Sequence, residues 1–359
     1  MFAKRLLALL ALILCSSIVL VVAATSTPQA VRVQGYLSQI VSGSRVPANG
    51  AAQIDTYDGS GREKSAEIAA DISPVLRRRR PPHNPPKIFV FGDSYSDNGN
   101  LVVYHPEFMG SELPPPYDLQ RFSNGPIWVD YMAKALGTTL LPEVNGGTNY
   151  AVGGATISPE NRYAYFPDAD GFAQVERFLE REGSADPDAI YIVWLGINDL
   201  DPPREYVEWI FGTLVDMVGR LHAAGARKFV IPNLTDVGQL PVIQMFFPPE
   251  DIEAFSEMTV IWNDLLQGLD EIFPDAQIRI SDVYRLKRII DANPEVFGFT
   301  NTTDSCYQIF TDGSVCSNPD QYWFWDHIHP TSRAHKLLSR LFILDMLLAG
   351  ELAPASAAP

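Results

Sequence analysis

From Lys87 onward, short apolar or β-branched runs alternate with longer stretches in which apolar residues recur every three or four positions. The short runs, Lys87–Gly92, Ala189–Leu195, Lys228–Pro232 and Ile278–Val283, read as strands. The longer ones read as helices over Ile127–Leu136, Gly171–Arg181, Tyr206–Ala224, Asp251–Ile272 and Pro330–Leu348. Within the third, Val207, Ile210, Phe211, Leu214, Met217, Val218 and Leu221 form one amphipathic face. Strands that are apolar throughout, separated by helices, imply a parallel sheet covered on both faces. No internal repeat or second domain is visible.

The segment before Lys87 has a different texture. Lys4 and Arg5 precede an apolar run, Leu6–Ala24, that ends in Val22-Ala23-Ala24. This is the layout of a secretory signal at 1–24, and the run is also long enough for a retained anchor. Leu14 before Cys15 does not suit a lipoprotein cleavage site. Residues 25–86 lack periodicity and end in Arg77–Arg80 followed by Pro81-Pro82. They read either as a solvated linker or as a propeptide cut at the arginines, although Pro81 works against a cut there. The organisation is therefore a leader at 1–24, a linker or propeptide at 25–86, a domain at 87–350 and a tail at 351–359.

Charge sharpens that boundary. The chain has 359 residues and a net charge of −16, with 27 Lys and Arg against 43 Asp and Glu. Residues 1–80 hold 10 basic and 5 acidic side chains, and the rest hold 17 and 38. The acidic body excludes a nucleic-acid partner and disfavours polyanionic substrates. With Cys15 in the leader, Cys306 and Cys316 remain, and in an exported chain such a pair reads as a disulfide. Asn233-Leu234-Thr235 and Asn301-Thr302-Thr303 are glycosylation acceptors. Asn301 is placed in a loop and Asn233 just after a strand.

Two segments carry candidate chemistry. The first strand runs into Gly92-Asp93-Ser94-Tyr95, placing a serine where ligands bind in open α/β sheets, at the carboxyl end of a strand. Near the other end, Trp323-Phe324-Trp325-Asp326-His327-Ile328-His329-Pro330 offers a carboxylate and an imidazole three residues apart. A serine hydroxyl needs an imidazole to take its proton and a carboxylate to hold that imidazole. His327 and His329 also permit a metal reading, but no further His or Cys cluster supports it. The neighbouring Trp and Phe residues read as core.

Four ordered blocks make the chain resemble the GDSL esterases of the SGNH hydrolase superfamily, most of all the branch of plant GDSL lipases and fungal acetylesterases. They are Gly92-Asp93-Ser94-Tyr95 (Tyr where Leu is usual), Asn149–Ala155, Gly196-Ile197-Asn198-Asp199 and Asp326-x-x-His329-Pro330-Thr331. Arg121-Phe122-Ser123-Asn124-Gly125 is a further match. The resemblance implies an α/β fold, a three-layer α/β/α flavodoxin-like arrangement. It implies Ser94 as nucleophile, His329 as base and Asp326 as orienting carboxylate. The backbone N–H groups of Ser94 and Gly154 and the Asn198 amide would form the oxyanion hole. Asp93, Asn98 and Asp199 are expected to brace loops. No cofactor or metal is expected.

The chain lacks Gly-x-Ser-x-Gly, which argues against an α/β-hydrolase elbow. Its expected activity is hydrolysis of carboxylic esters by a secreted enzyme, on small-molecule or carbohydrate esters. The lack of a long apolar lid points to short acyl groups, and the resemblance together with export implies acetyl esters of sugars foremost. A lipase or phospholipase acting on longer acyl chains is the alternative, and a catalytically silent binding protein on the same fold is a further one. Membrane association is expected only if the leader is retained.

Overall fold

The structure, a computed structural model, describes residues 85–348 apart from 111 and 167. The expectations for the leader, the linker and the C-terminal tail lie outside the described residues.

Four parallel strands, β1 (Ile88–Gly92), β2 (Ile190–Trp194), β3 (Lys228–Pro232) and β4 (Gln277–Ser281), pair in that order. A fifth extended segment, 148–152, runs along the free edge of β1. There Val90 N–H donates to Thr148 O at 3.0 Å, and Tyr150 and Val152 N–H donate to Val90 O and Gly92 O at 2.8 and 3.1 Å. Numbered along the chain, the sheet reads 2-1-3-4-5, the flavodoxin-like order. Its direction reverses between β1 and β2, where a crevice opens at the strands' carboxyl ends.

Every residue of β1 and β2 is buried, as expected for strands covered on both sides. On one face Phe89, Phe91 and Tyr191 meet Phe178 of α2 (Gly171–Glu182), with ring centroids 4.9–5.9 Å apart. On the other, Trp194 packs edge-on against Trp128 of α1 (Trp128–Leu136) and Phe342 of α6 (Ser332–Leu348). The amphipathic α3 (Arg204–Ala223) lies beside α2 and buries its apolar stripe; Phe211 there meets Trp262 of α4 (Pro249–Leu266). Three layers result.

Three expectations needed correction. The helix expected over Asp251–Ile272 breaks at Gln267-Gly268 into α4 and a short turn, Leu269–Ile272. The strand read as reaching Val283 stops at Ser281, because Asp282 caps α5 (Val283–Ala292) by accepting from Arg285 N–H at 3.0 Å. The last helix begins at Ser332 rather than Pro330, with Thr331 Oγ1 accepting from Ala334 N–H at 3.3 Å.

A second small sheet was not expected: β5 (Asn301–Ser305) beside β6 (Tyr322–Phe324). The polar run Asn301-Thr302-Thr303-Asp304-Ser305 has no strand-like alternation, so pairing rather than local preference makes it a strand. Cys306, directly after β5, is disulfide-bonded to Cys316. Among the described residues, no helix is long and apolar enough to cross a membrane.

Candidate active site

β1 must end in glycine. A Cβ at Gly92 would lie 2.9 Å from Trp194 O and 3.0 Å from the Ser96 side chain. The buried Gln174 amide grips this residue on both sides, accepting from Gly92 N–H at 2.9 Å and donating to Gly92 O at 2.8 Å. Ser96 and Asp97 N–H then return to Asp93 O at 3.0 and 2.9 Å. This tight turn presents Ser94 at the mouth of the crevice.

Asp97, not singled out from sequence, organises the surrounding loops. Its buried carboxylate accepts from Gly99, Asn100, Leu101 and Gly153 N–H at 2.7–3.0 Å. Asn149 Nδ2 adds bonds to Ser96 O at 2.7 Å and Asn98 Oδ1 at 2.8 Å. The loop after β1 and the loop after the edge segment are therefore one hydrogen-bonded unit. Asn98 takes the bracing part expected of it. Asp199 does the same elsewhere, accepting from Ile157 N–H at 3.0 Å and Asn161 Nδ2 at 2.8 Å.

Asp326 and His329 follow the β5–β6 pair. Beyond β6 the chain makes a narrow turn closed by Trp325 N–H to His329 O at 2.7 Å and Thr331 N–H to Trp323 O at 2.8 Å. Inside it, Asp326 Oδ1 accepts from the N–H groups of Ile328 and His329 at 2.8 and 2.7 Å. Oδ2 accepts from His329 Nδ1 at 2.7 Å. Because the carboxylate can only accept, the Nδ1–H is the donor and Nε2 keeps its lone pair in neutral imidazole. That Nε2 lies 2.8 Å from Ser94 Oγ. Burial works to raise the Asp326 carboxyl. The His329 charge and hydrogen bonds from His329 and Tyr117 outweigh it and hold the group below its usual range.

Two neighbours steady the base. Phe122 stacks on the His329 ring at 4.9 Å, and Ser123 Oγ donates to Pro330 O at 2.9 Å. Ser332 N–H donates to Asn124 Oδ1 at 2.8 Å, so the Arg121–Gly125 block clamps the loop behind His329. Tyr117 Oη donates to Asp326 Oδ2 at 2.6 Å. No sequence spacing pointed to Tyr117, which lies 209 positions from its partner.

Gly153 N–H is committed to Asp97, whereas the N–H groups of Ser94 and Gly154 have no partner among the described residues. Gly154 has φ +77°, a left-handed conformation that favours glycine. Asn198 stands after β2, at the edge of the same cavity, with Nδ2 donating to Ala155 O at 2.9 Å. Ser94, Gly154, Asn198, Asp326 and His329 all line one cavity of about 70 Å³. The rest of its wall is largely apolar, formed by Leu101, Phe122, Phe166, Ile309, Phe310 and Ile328. A hydroxyl, an acceptor imidazole, a buried carboxylate and free N–H donors around one space can carry out nucleophilic acyl transfer.

The remaining sequence expectations divide. Trp323, Phe324 and Trp325 are buried core, as read. Among the described residues no His, Cys, Asp and Glu group is arranged to hold a metal ion. Asn301, expected in a loop, is instead the first residue of β5; it is half-buried, and its amide donates to Asp304 Oδ2 at 2.8 Å. Asn233 is 4% exposed and its Nδ2 donates to Asp282 Oδ1 at 2.9 Å. Asn233 Oδ1 also accepts from Tyr284 N–H at 2.9 Å, so the residue joins β3 to α5.

The family model described as GDSL-like Lipase/Acylhydrolase matches residues 88–342. The chain is 26% identical over 320 residues to a phosphatidylcholine-sterol acyltransferase of Aeromonas hydrophila, covering 76% of this chain and 90% of that protein. It is 26% identical over 325 residues to acetylajmalan esterase 2 of Rauvolfia serpentina, covering 72% and 90%. A GDSL esterase/lipase of Arabidopsis thaliana is 26% identical over 316 residues, covering 71% and 86%. With the family match spanning most of the chain and a parallel α/β/α domain beneath it, the protein belongs to the GDSL-like lipase/acylhydrolase family and is a carboxylic ester hydrolase.

Proposed function

We propose that the enzyme hydrolyses esters of short acyl groups, acetyl esters of carbohydrates foremost, through an acyl-enzyme on Ser94. The observation that carries the reading is the continuous chain from Ser94 Oγ to His329 to Asp326, at 2.8 and 2.7 Å. His329 takes the serine proton as Oγ attacks the ester carbonyl. The oxyanion is received by the N–H groups of Ser94 and Gly154 and the Asn198 amide. His329 then protonates the departing alcohol, and water enters by the reverse steps.

A cavity of only about 70 Å³ beside Ser94 supports a short acyl group. An apolar leader with a small-residue end and a disulfide in the domain support export. Asn301 is the glycosylation site this reading retains.

One observation favours longer chains. Phe246 is 43% exposed and packs 5.7 Å from Phe310, extending the cavity's apolar wall to the surface. A p-nitrophenyl ester series separates the two. Maximal kcat/KM at two to four carbons supports the short-acyl reading, and a maximum beyond eight carbons overturns it.

A further inference from the structure

His327 lies between the orienting carboxylate and the base, yet the reaction just described leaves it unused. Its side chain is buried, with the residue 1% exposed, and borders the cavity that holds Ser94. Neither ring nitrogen has a hydrogen-bond partner among the described residues. Phe310 covers the imidazole at a ring distance of 4.7 Å, and the backbone is pinned by Val242 N–H to His327 O at 3.0 Å. A buried polar atom left unpaired is costly, so two on one ring call for a reason.

His335 shows that missing partners alone do not define a site. Its ring nitrogens are equally unpaired among the described residues, but it sits in the core beside Tyr95 and does not line the Ser94 cavity. His327 differs in lining the cavity a substrate must enter, its ring nitrogens covered from that space by Phe310. Burial also holds its imidazole below the usual range, against the pull of Asp326, so it offers one N–H donor and one lone pair at neutral pH. A hydroxyl group, which both donates and accepts, is the matching ligand. An anion would meet the Asp326 carboxylate next door and a strongly acidic domain.

The side of the substrate follows from the reaction. His329 must reach the leaving alcohol's oxygen to protonate it, whereas Gly154 and Asn198 belong to the oxyanion's side. The turn carrying His329 therefore borders the alcohol. We infer that His327 is a specificity-determining residue, pairing with a free hydroxyl on the alcohol portion of the ester, close to the scissile bond. Phe310 yields as that hydroxyl enters. The inference rests on the esterase reading above and narrows its substrates to esters of polyhydroxylated alcohols.

The test compares 2-hydroxyethyl acetate with ethyl acetate, which differ only by the hydroxyl. Wild-type enzyme is expected to favour the hydroxylated ester about tenfold in kcat/KM, the worth of one hydrogen bond. That ratio should fall to about one in His327→Leu and recover in His327→Gln, which keeps a donor and an acceptor. His327→Phe, which refills the space under Phe310, serves if the leucine variant does not fold. Ser94-dependent turnover with a wild-type ratio near one, or an unchanged ratio in the apolar variants, overturns this inference alone. Absence of Ser94-dependent turnover on both acetates overturns the short-acyl reading and takes this inference with it.

Discussion

Tyr117 Oη and His329 Nδ1 converge on the same oxygen, Asp326 Oδ2, at 2.6 and 2.7 Å. The carboxylate is thus oriented from two directions in a buried setting, where hydrogen bonds to a charged group are strong. Tyr117→Phe keeps the ring contacts with Phe122 and Tyr307 and removes only this bond. With one donor gone, Asp326 attracts the His329 proton more strongly. The acid limb of the kcat/KM profile is expected to move to higher pH, with kcat reduced about three- to tenfold. A profile superimposable on wild type would show that Tyr117 only packs.

The extent to which sequence revealed this site depends on the range of the forces involved. The four main strands were legible because β1 and β2 are apolar at nearly every position, a signal that comes from burial on both faces. Ser94 and the Asp326–His329 pair could be read because each sits in a local turn with its own spacing. Tyr117 could not, since its partner Asp326 lies far along the chain, and neither could the bond from Gly153 to Asp97, although the Asp97 bonds to Gly99, Asn100 and Leu101 are local. The β5–β6 pair escaped for the same reason, as the β5 residues become a strand only against β6. Helix α5 was different, for Asp282 followed by apolar residues at 283, 286 and 290 was a usable start signal.

Stability should fall as pH rises from about 6.5 to 8. Burial, reinforced by neighbouring carboxylates, raises Asp93 to about 8 and Asp199 to about 7. Each holds its proton in the folded state above the pH at which the unfolded chain, near 3.8, has lost it. The native state therefore binds more protons, and stability declines until the folded group also ionises. His335, pushed down to about 3 by burial and the His329 charge, acts oppositely but chiefly below its unfolded value of 6.5. Above that value His335 opposes the carboxyl effect progressively less. Thermal melts from pH 6.5 to 8 should show Tm falling, and Asp93→Asn should flatten the slope; a rising Tm would contradict the assignment.

Asn198 is expected to matter to turnover more than to binding. Removing one oxyanion donor typically costs about 10²–10³ in rate. Asn198→Ala should lower kcat on this scale with a small change in KM, in protein whose Tm shows it folded. An effect confined to KM would place Asn198 outside the oxyanion hole.

The disulfide should couple stability to the cavity wall. The loop it closes carries Ile309 and Phe310, both facing the cavity. Cys316→Ser is expected to cost about 3 kcal/mol in denaturant unfolding, the scale for a loop of this length. KM for short esters should rise together with it. Unchanged KM at reduced stability would mean that the loop's own hydrogen bonds keep the wall in place.

The most direct measurement is covalent labelling of the nucleophile. Intact-mass spectrometry after a fluorophosphonate probe should show one adduct on wild-type protein, mapping to the peptide with Ser94. Ser94→Ala should show none and lose ester hydrolysis by about 10⁴-fold or more. Equal labelling of the two proteins, or an adduct on another residue, would contradict the assignment of Ser94 and with it the proposed mechanism.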